Sequence, residues 1–153
     1  MNTENIHYIL RAPSDAHHYT AKACLVWCFD ARFSGALEAY CNAQKWALRD
    51  VDLIKVAGGA KGIASPADEY ERAYLLDQIA KSVKLHNPAR IVLMVHAECG
   101  AYGKHFANIE EEAAFYKAEA QRAKTIVTDY CTKNNIHAEV EGLFADFDGI
   151  QAA

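Results

Sequence analysis

Short apolar runs alternate with longer segments of helical spacing along most of the chain. Residues 23–29 (ACLVWCF) form an apolar run of strand length, and residues 34–47 follow with Leu37, Tyr40, Cys41 and Ala47 near helical spacing. Residues 51–57 (VDLIKVA) give a second strand, closed by Gly58 and Gly59. Ser65 fits a helix N-cap, with Pro66 at the first helical position and Asp68 and Glu69 placing negative charge on the first turn. This helix is predicted to run to Leu85 and to stop before Asn87 and Pro88. Residues 91–95 (IVLMV) form the third and most apolar strand. Asn108, with Glu111 three residues on, predicts a capping box and a long helix to Thr132, ended by Asn134 and Asn135. Residues 136–144 then alternate as a fourth strand does: Ile136, Ala138 and Val140 on one face, His137, Glu139 and Glu141 on the other.

Strands that alternate with helices predict βαβ units. The expected fold is α/β, a mainly parallel sheet with core order 2-1-3-4, helices on both faces and right-handed crossovers. No repeat, linker or low-complexity stretch divides the chain, so residues 1–153 are expected to form a single domain. Residues 1–20 are polar, carry His7, His17 and His18, and are expected to form an arm or a short helix. In such sheets ligands bind beyond the carboxyl ends of the strands, where the strand order reverses. Here that point falls between the first and third strands.

Composition narrows the function. At 153 residues, 52% hydrophobic and 24% charged, the chain can bury a core and is not expected to be disordered. Twenty acidic against sixteen basic residues argue against nucleic acid as a partner. No apolar stretch reaches the ~18 residues of a membrane helix, and the first residues lack the pattern of a secretory signal. Five cysteines, an odd count, then suggest reduced thiols in a cytoplasmic protein rather than a disulfide framework.

The residues after the strands carry the candidate chemistry. Cys28, Asp30 and Arg32 follow the first strand at i, i+2 and i+4, and an extended backbone would point all three to one face. His96 and Cys99 follow the third strand, three residues apart and just before Gly100. A cysteine at a strand end is ordinarily a small core residue, and Asp near Arg is ordinarily a surface pair. Both motifs at strand ends that face one crevice are harder to explain that way. Two thiolates and an imidazole form a zinc set, balance its charge and leave a fourth position open. Asp30 could accept a hydrogen bond there or fill the position itself, and Arg32 could hold Asp30 ionised. Cys24 lies about 13 Å from Cys28 at strand rise and is expected in the core, as are Cys41 and Cys131. His17, His18 and His105 read as solvated residues. The segment 58–62 (GGAKG) lacks the spacing of a phosphate loop and reads as a strand-to-helix connection.

The pattern Cys-x-Asp-x-Arg, followed by His-x-x-Cys-Gly after a later parallel strand, resembles the β-class carbonic anhydrases. Residues 54–59 (IKVAGG) are similar to that family's segment ending in Asn-Ala-Gly-Asn, and the likeness extends from Tyr19 to Gly100 and on to Phe144. The resemblance implies one zinc per chain on Cys28, His96 and Cys99, with Asp30 and Arg32 as the catalytic dyad. It implies hydration of CO2 to bicarbonate by zinc-bound hydroxide, and a homodimer or larger homo-oligomer. It also leaves room for a COS or CS2 hydrolase on the same site, or a noncatalytic zinc module in which Asp30 closes the tetrahedron. This chain departs from the family at Tyr19, where a substrate-holding Gln is common, at Ala97 in place of Thr, and at Val56 and Gly59 in place of Asn. Tyr19 and Phe29 would give such a pocket an aromatic wall.

Overall fold

In the computed structural model, which describes residues 7–153, the predicted strands join one five-stranded sheet, with the two most apolar runs inside it. The first six positions of the predicted arm lie outside the described residues, and residues 7–20 contain no helix or strand. The strands are β1 (Ala23–Cys28), β2 (Val51–Val56), β3 (Arg90–His96), β4 (Glu139–Ala145) and β5 (Ile150–Ala152). Their order is β2-β1-β3-β4-β5, so the expected core order holds. β1 to β4 run parallel, and β5 is antiparallel to β4. β1 is buried along its whole length and β3 nearly so, as strands covered on both faces must be.

The helices are α1 (Ser34–Ala43), α2 (Lys61–Ala64), α3 (Glu69–His86) and α4 (Ile109–Lys133). They cover both faces. Tyr40 of α1 packs near Trp27 and donates to Glu141 on one face. On the other, Ser82 of α3 meets Cys24, and Tyr116 of α4 stacks on Phe144. Gly142 lets α4 approach β4, since a Cβ there would lie 2.8 Å from the carbonyl oxygen of Ala120.

The predicted boundaries need three corrections. The long middle helix begins at Glu69, and its N-cap is Asp68 rather than Ser65. The Asp68 carboxylate accepts from Glu71 N at 3.0 Å, while Glu71 reaches back to Ala67 N at 2.6 Å. Ser65 instead closes α2, held non-helical before Pro66. Asn108 and Glu111 cap α4 in the same way as Asp68 and Glu71 cap α3. α1 stops at Ala43, and β4 starts only at Glu139. β5 has no counterpart among the predicted elements, because three residues are too few to show a period. It exists because Asp146 accepts from the backbone of Asp148 and Gly149 and reverses the chain.

One local feature positions the site. β1 and β3 pair from Ala23↔Arg90 to Val26↔Leu93 and then part. The chain leaving β2 enters the gap: Ala60 N donates to Met94 O at 2.9 Å. Gly59 lies between the strands at φ +57°, where a Cβ would sit 2.4 Å from Met94 O and 3.0 Å from Cys28 N. Gly59→Ala is therefore expected to lower stability by about 2 kcal/mol or more, through strain and steric clash together. Chemical denaturation measures this; an unchanged midpoint would mean that the gap is not filled as described.

Candidate metal centre

The parting of β1 and β3 leaves Cys28 and His96, each the last residue of its strand, facing one crevice. His96 is fully buried. Its Nδ1 lies 2.7 Å from the carbonyl oxygen of Ala97, which can only accept, so Nδ1 carries the proton. Nε2 is then a lone pair, and it is buried without a hydrogen-bond partner. The Phe33 ring, 4.2 Å from the imidazole, packs against it and restricts its orientation. Cys99 follows Glu98, a residue in the left-handed region at φ +51°, and the turn swings the thiol back toward His96. Tyr116 of α4 accepts from Cys99 N at 3.2 Å, which ties the turn to the body.

The Cys28 and Cys99 sulfurs and one nitrogen of His96 all lie within 4.8 Å of one another. Tetrahedral zinc, with sulfur at about 2.3 Å and nitrogen at about 2.0–2.1 Å, needs ligand atoms a little under 4 Å apart. Among the described residues this is the group that could hold a metal ion. The orphaned imidazole nitrogen is the observation that fits it to a cation: of the three buried side-chain atoms without a partner among the described residues, it is the one that lies beside two thiols. The thiols fit too. The neighbouring Cys99 thiol pulls the Cys28 thiol below its ordinary range, and the same contact pushes Cys99 up.

Asp30 stands beside this cluster, its Oδ2 4.0 Å from His96 Nε2. The Arg32 side chain donates to it from Nε at 3.1 Å and from a terminal nitrogen at 2.8 Å. The backbone N–H of Arg32 adds a third bond at 3.0 Å, because Asp30 also caps the short 3-10 turn Ala31–Phe33. The Arg32 guanidinium, ahead of any other cause, holds the Asp30 carboxyl down to about 2. Asp30 is therefore ionised near neutrality and can only accept. Arg32 also bonds Glu98 and lies over the Phe147 ring.

The remaining sequence candidates fall outside the centre. Cys24, Cys41 and Cys131 are buried core thiols, and burial pushes Cys24 up to about 12. His17 and His18 are exposed, with His17 bonded to Asp15. His105 lines a cleft of about 580 Å³ that opens beside Cys99 and Glu98. Tyr19 is not at the pocket of its own chain. Its hydroxyl donates to Asp52 at 2.6 Å and its ring stacks on His86, at the opposite end of the sheet from Cys28. Asp52 also accepts from Ser82 and pairs with His86, so Tyr19 fastens the arm to β2 and α3. The aromatic wall is made instead by Phe33 and Phe147, with ring centroids 5.4 Å apart. Phe147 lies far along the chain in the β4–β5 turn, and no local spacing marks it. Glu98 could have been suspected from its place between His96 and Cys99.

The family profile described as "Putative carbonic anhydrase" matches residues 18–150. The chain belongs to this carbonic anhydrase family. The fold is that of β-carbonic anhydrases of known structure. The enzyme from Streptococcus mutans superposes with a TM-score of 0.55 at 17% identity, covering 91% of this chain and 87% of that one. A tetrameric β-carbonic anhydrase from Sordaria macrospora gives 0.50 at 17% identity, covering 88% and 81%. The apo form of a carbon disulfide hydrolase gives 0.53 at 11% identity, covering 88% and 79%. No curated protein sequence shows significant similarity. No helix among the described residues is long and apolar enough to cross a membrane.

Purified protein is expected to contain one metal per chain, and Cys99→Ser to lose most of it, because one thiolate donor is gone. Elemental analysis of both proteins is the check. Full retention in Cys99→Ser would remove the assignment.

Proposed function

We propose that this carbonic anhydrase family member binds zinc through Cys28, His96 and Cys99 and hydrates CO2 to bicarbonate, with Asp30 and Arg32 as its dyad. The observation that carries the reading is the Asp30–Arg32 pair beside the orphaned His96 nitrogen. A carboxylate whose lone pairs are taken by a guanidinium and a backbone N–H has less to offer a metal, which supports a place beside the ion rather than on it.

Zinc bound there would supply a Lewis acid that makes water a competent nucleophile near neutral pH. Asp30, able only to accept, takes a hydrogen bond from the attacking water and aims its free lone pair at the substrate carbon. Arg32 keeps Asp30 in that position. Phe147, packed on the buried Phe33, would present an apolar surface to a linear, uncharged substrate. In the overall reaction a C–O bond forms, one C=O electron pair moves onto oxygen, and one proton leaves for solvent.

A second substrate class is favoured by the same wall and by the likeness in fold to a carbon disulfide hydrolase. COS and CS2 are also linear and uncharged, and hydrolysis would release hydrogen sulfide. Zinc-loaded protein is expected to hydrate CO2 in a stopped-flow assay, with COS and CS2 followed by sulfide release. Asp30→Ala should keep zinc yet lose activity about 10²-fold, the usual loss when an oriented hydrogen-bond partner is removed from a reacting group. Zinc-loaded wild type that turns over none of the three would leave the noncatalytic zinc module as the better reading.

We further propose a homo-oligomer. The support is an arm whose Tyr8, Ile9 and Leu10 are exposed in the single chain, together with the tetrameric relative in the same fold. Light scattering should give at least twice 17.0 kDa at micromolar concentration; a monomer mass would count against it.

A further inference from the structure

Arg32 is gripped from two sides. Its Nε and one terminal nitrogen face Asp30 at 3.1 and 2.8 Å. Its other terminal nitrogen donates to Glu98 Oε2 at 3.1 Å, and the terminal nitrogen shared with Asp30 also donates to the Glu98 carbonyl oxygen at 3.1 Å. The guanidinium offers five N–H groups in a rigid plane, so the two carboxylates use different hydrogens and do not compete. Glu98 adopts the left-handed region at φ +51°, which costs a non-glycine residue free energy. Its N–H is caught by Glu112 of α4 at 2.8 Å. The strained turn thus points both a carboxylate and a carbonyl of the second motif at the arginine of the first.

We infer that Glu98 is a positioning residue that acts through Arg32, holding the guanidinium where it keeps Asp30 off the metal. This rests on the function proposed above and adds a second anchor to its dyad. Without the Glu98 carboxylate, Arg32 loses its far-side ion pair and its outer edge is free to turn toward solvent. Asp30, 4.0 Å from His96 Nε2, then gains freedom to close onto the metal. The side chains of Arg32 and Glu98 are 45% and 61% exposed, so the pair is screened and its effect is modest.

The test uses cobalt(II)-substituted full-length protein, titrated with azide and followed by visible absorption. An open metal position binds azide, and a position closed by Asp30 resists it. Glu98→Ala is expected to weaken azide binding about two- to fivefold. Simple electrostatics predicts the opposite sign, since removing a nearby negative charge should tighten an anion. In an Asp30→Ala background the Glu98→Ala effect should vanish or reverse, and Glu98→Gln, which can still accept from Arg32, should fall between wild type and Glu98→Ala. Unchanged or tighter azide binding in Glu98→Ala, with wild type binding azide normally, would overturn the inference while leaving the dyad intact. A wild-type cobalt protein that refuses azide but accepts it after Asp30→Ala would instead overturn the open-site function itself. Should the alanine variant fail to hold cobalt, Glu98→Gln alone decides by the same criterion.

Discussion

Two strands that pair side by side to their last residues cannot also hold an ion between their ends. The separation of β1 from β3 beyond Val26 and Leu93 is the constraint on which the site depends. The gap exposes backbone groups that a buried sheet must satisfy. The segment after β2 satisfies them, with Ala60 donating to Met94 O. As this chain's backbone runs, a Cβ on Gly59 would meet Met94 O and Cys28 N. The crevice is therefore a gap in the sheet kept open by a glycine, with Cys28 on one lip and His96 on the other.

Once the gap exists, charge becomes the next problem. Two thiols, Asp30 and Glu98 converge on a small volume in which Arg32 is the one guanidinium in contact with both carboxylates. Arg32 also joins the two sequence motifs, which come from different strands. The first contributes Cys28, Asp30 and Arg32; the second contributes His96, Glu98 and Cys99. Phe33 packs on the buried imidazole, and Phe147 lies against the guanidinium, which stays partly open to solvent.

The core of this arrangement was legible in the sequence because it is local. Two fully apolar runs, β1 and β3, and two half-buried ones, each separated by helical spacing, point to a parallel sheet, and the order 2-1-3-4 then brings the ends of the first and third strands together. The misplaced N-cap shows where local signals compete. Ser65 before Pro66 and Asp68 before Glu69 are both plausible caps, and the reciprocal bond between Glu71 and Ala67 N favours the second. What could not be read depends on tertiary contact. β5 rests on an Asx turn, Phe147 reaches Phe33 across more than a hundred residues, and Tyr19 is drawn away from the crevice by Asp52. Sequence position alone could not show that Tyr19 would be held on Asp52, at the far end of the sheet from its own chain's crevice.

On the function proposed above, the donor set does not separate CO2 from COS and CS2, because all three would present an electrophilic carbon to the same nucleophile. They differ in length. Bicarbonate is an anion, and Arg32 already spends most of its N–H groups on Asp30 and Glu98. It has little capacity left to hold an anionic product. Addition of water to COS or CS2 with loss of a proton also gives an anion before sulfide departs, so the same shortage of donors would apply to them. Under that reading, discrimination would fall to the exposed Phe147 and to the cleft that opens past Cys99. Phe147 comes from the β4–β5 turn and most of the cleft from the segment before α4, so these surfaces could vary while Cys28, His96 and Cys99 stay fixed.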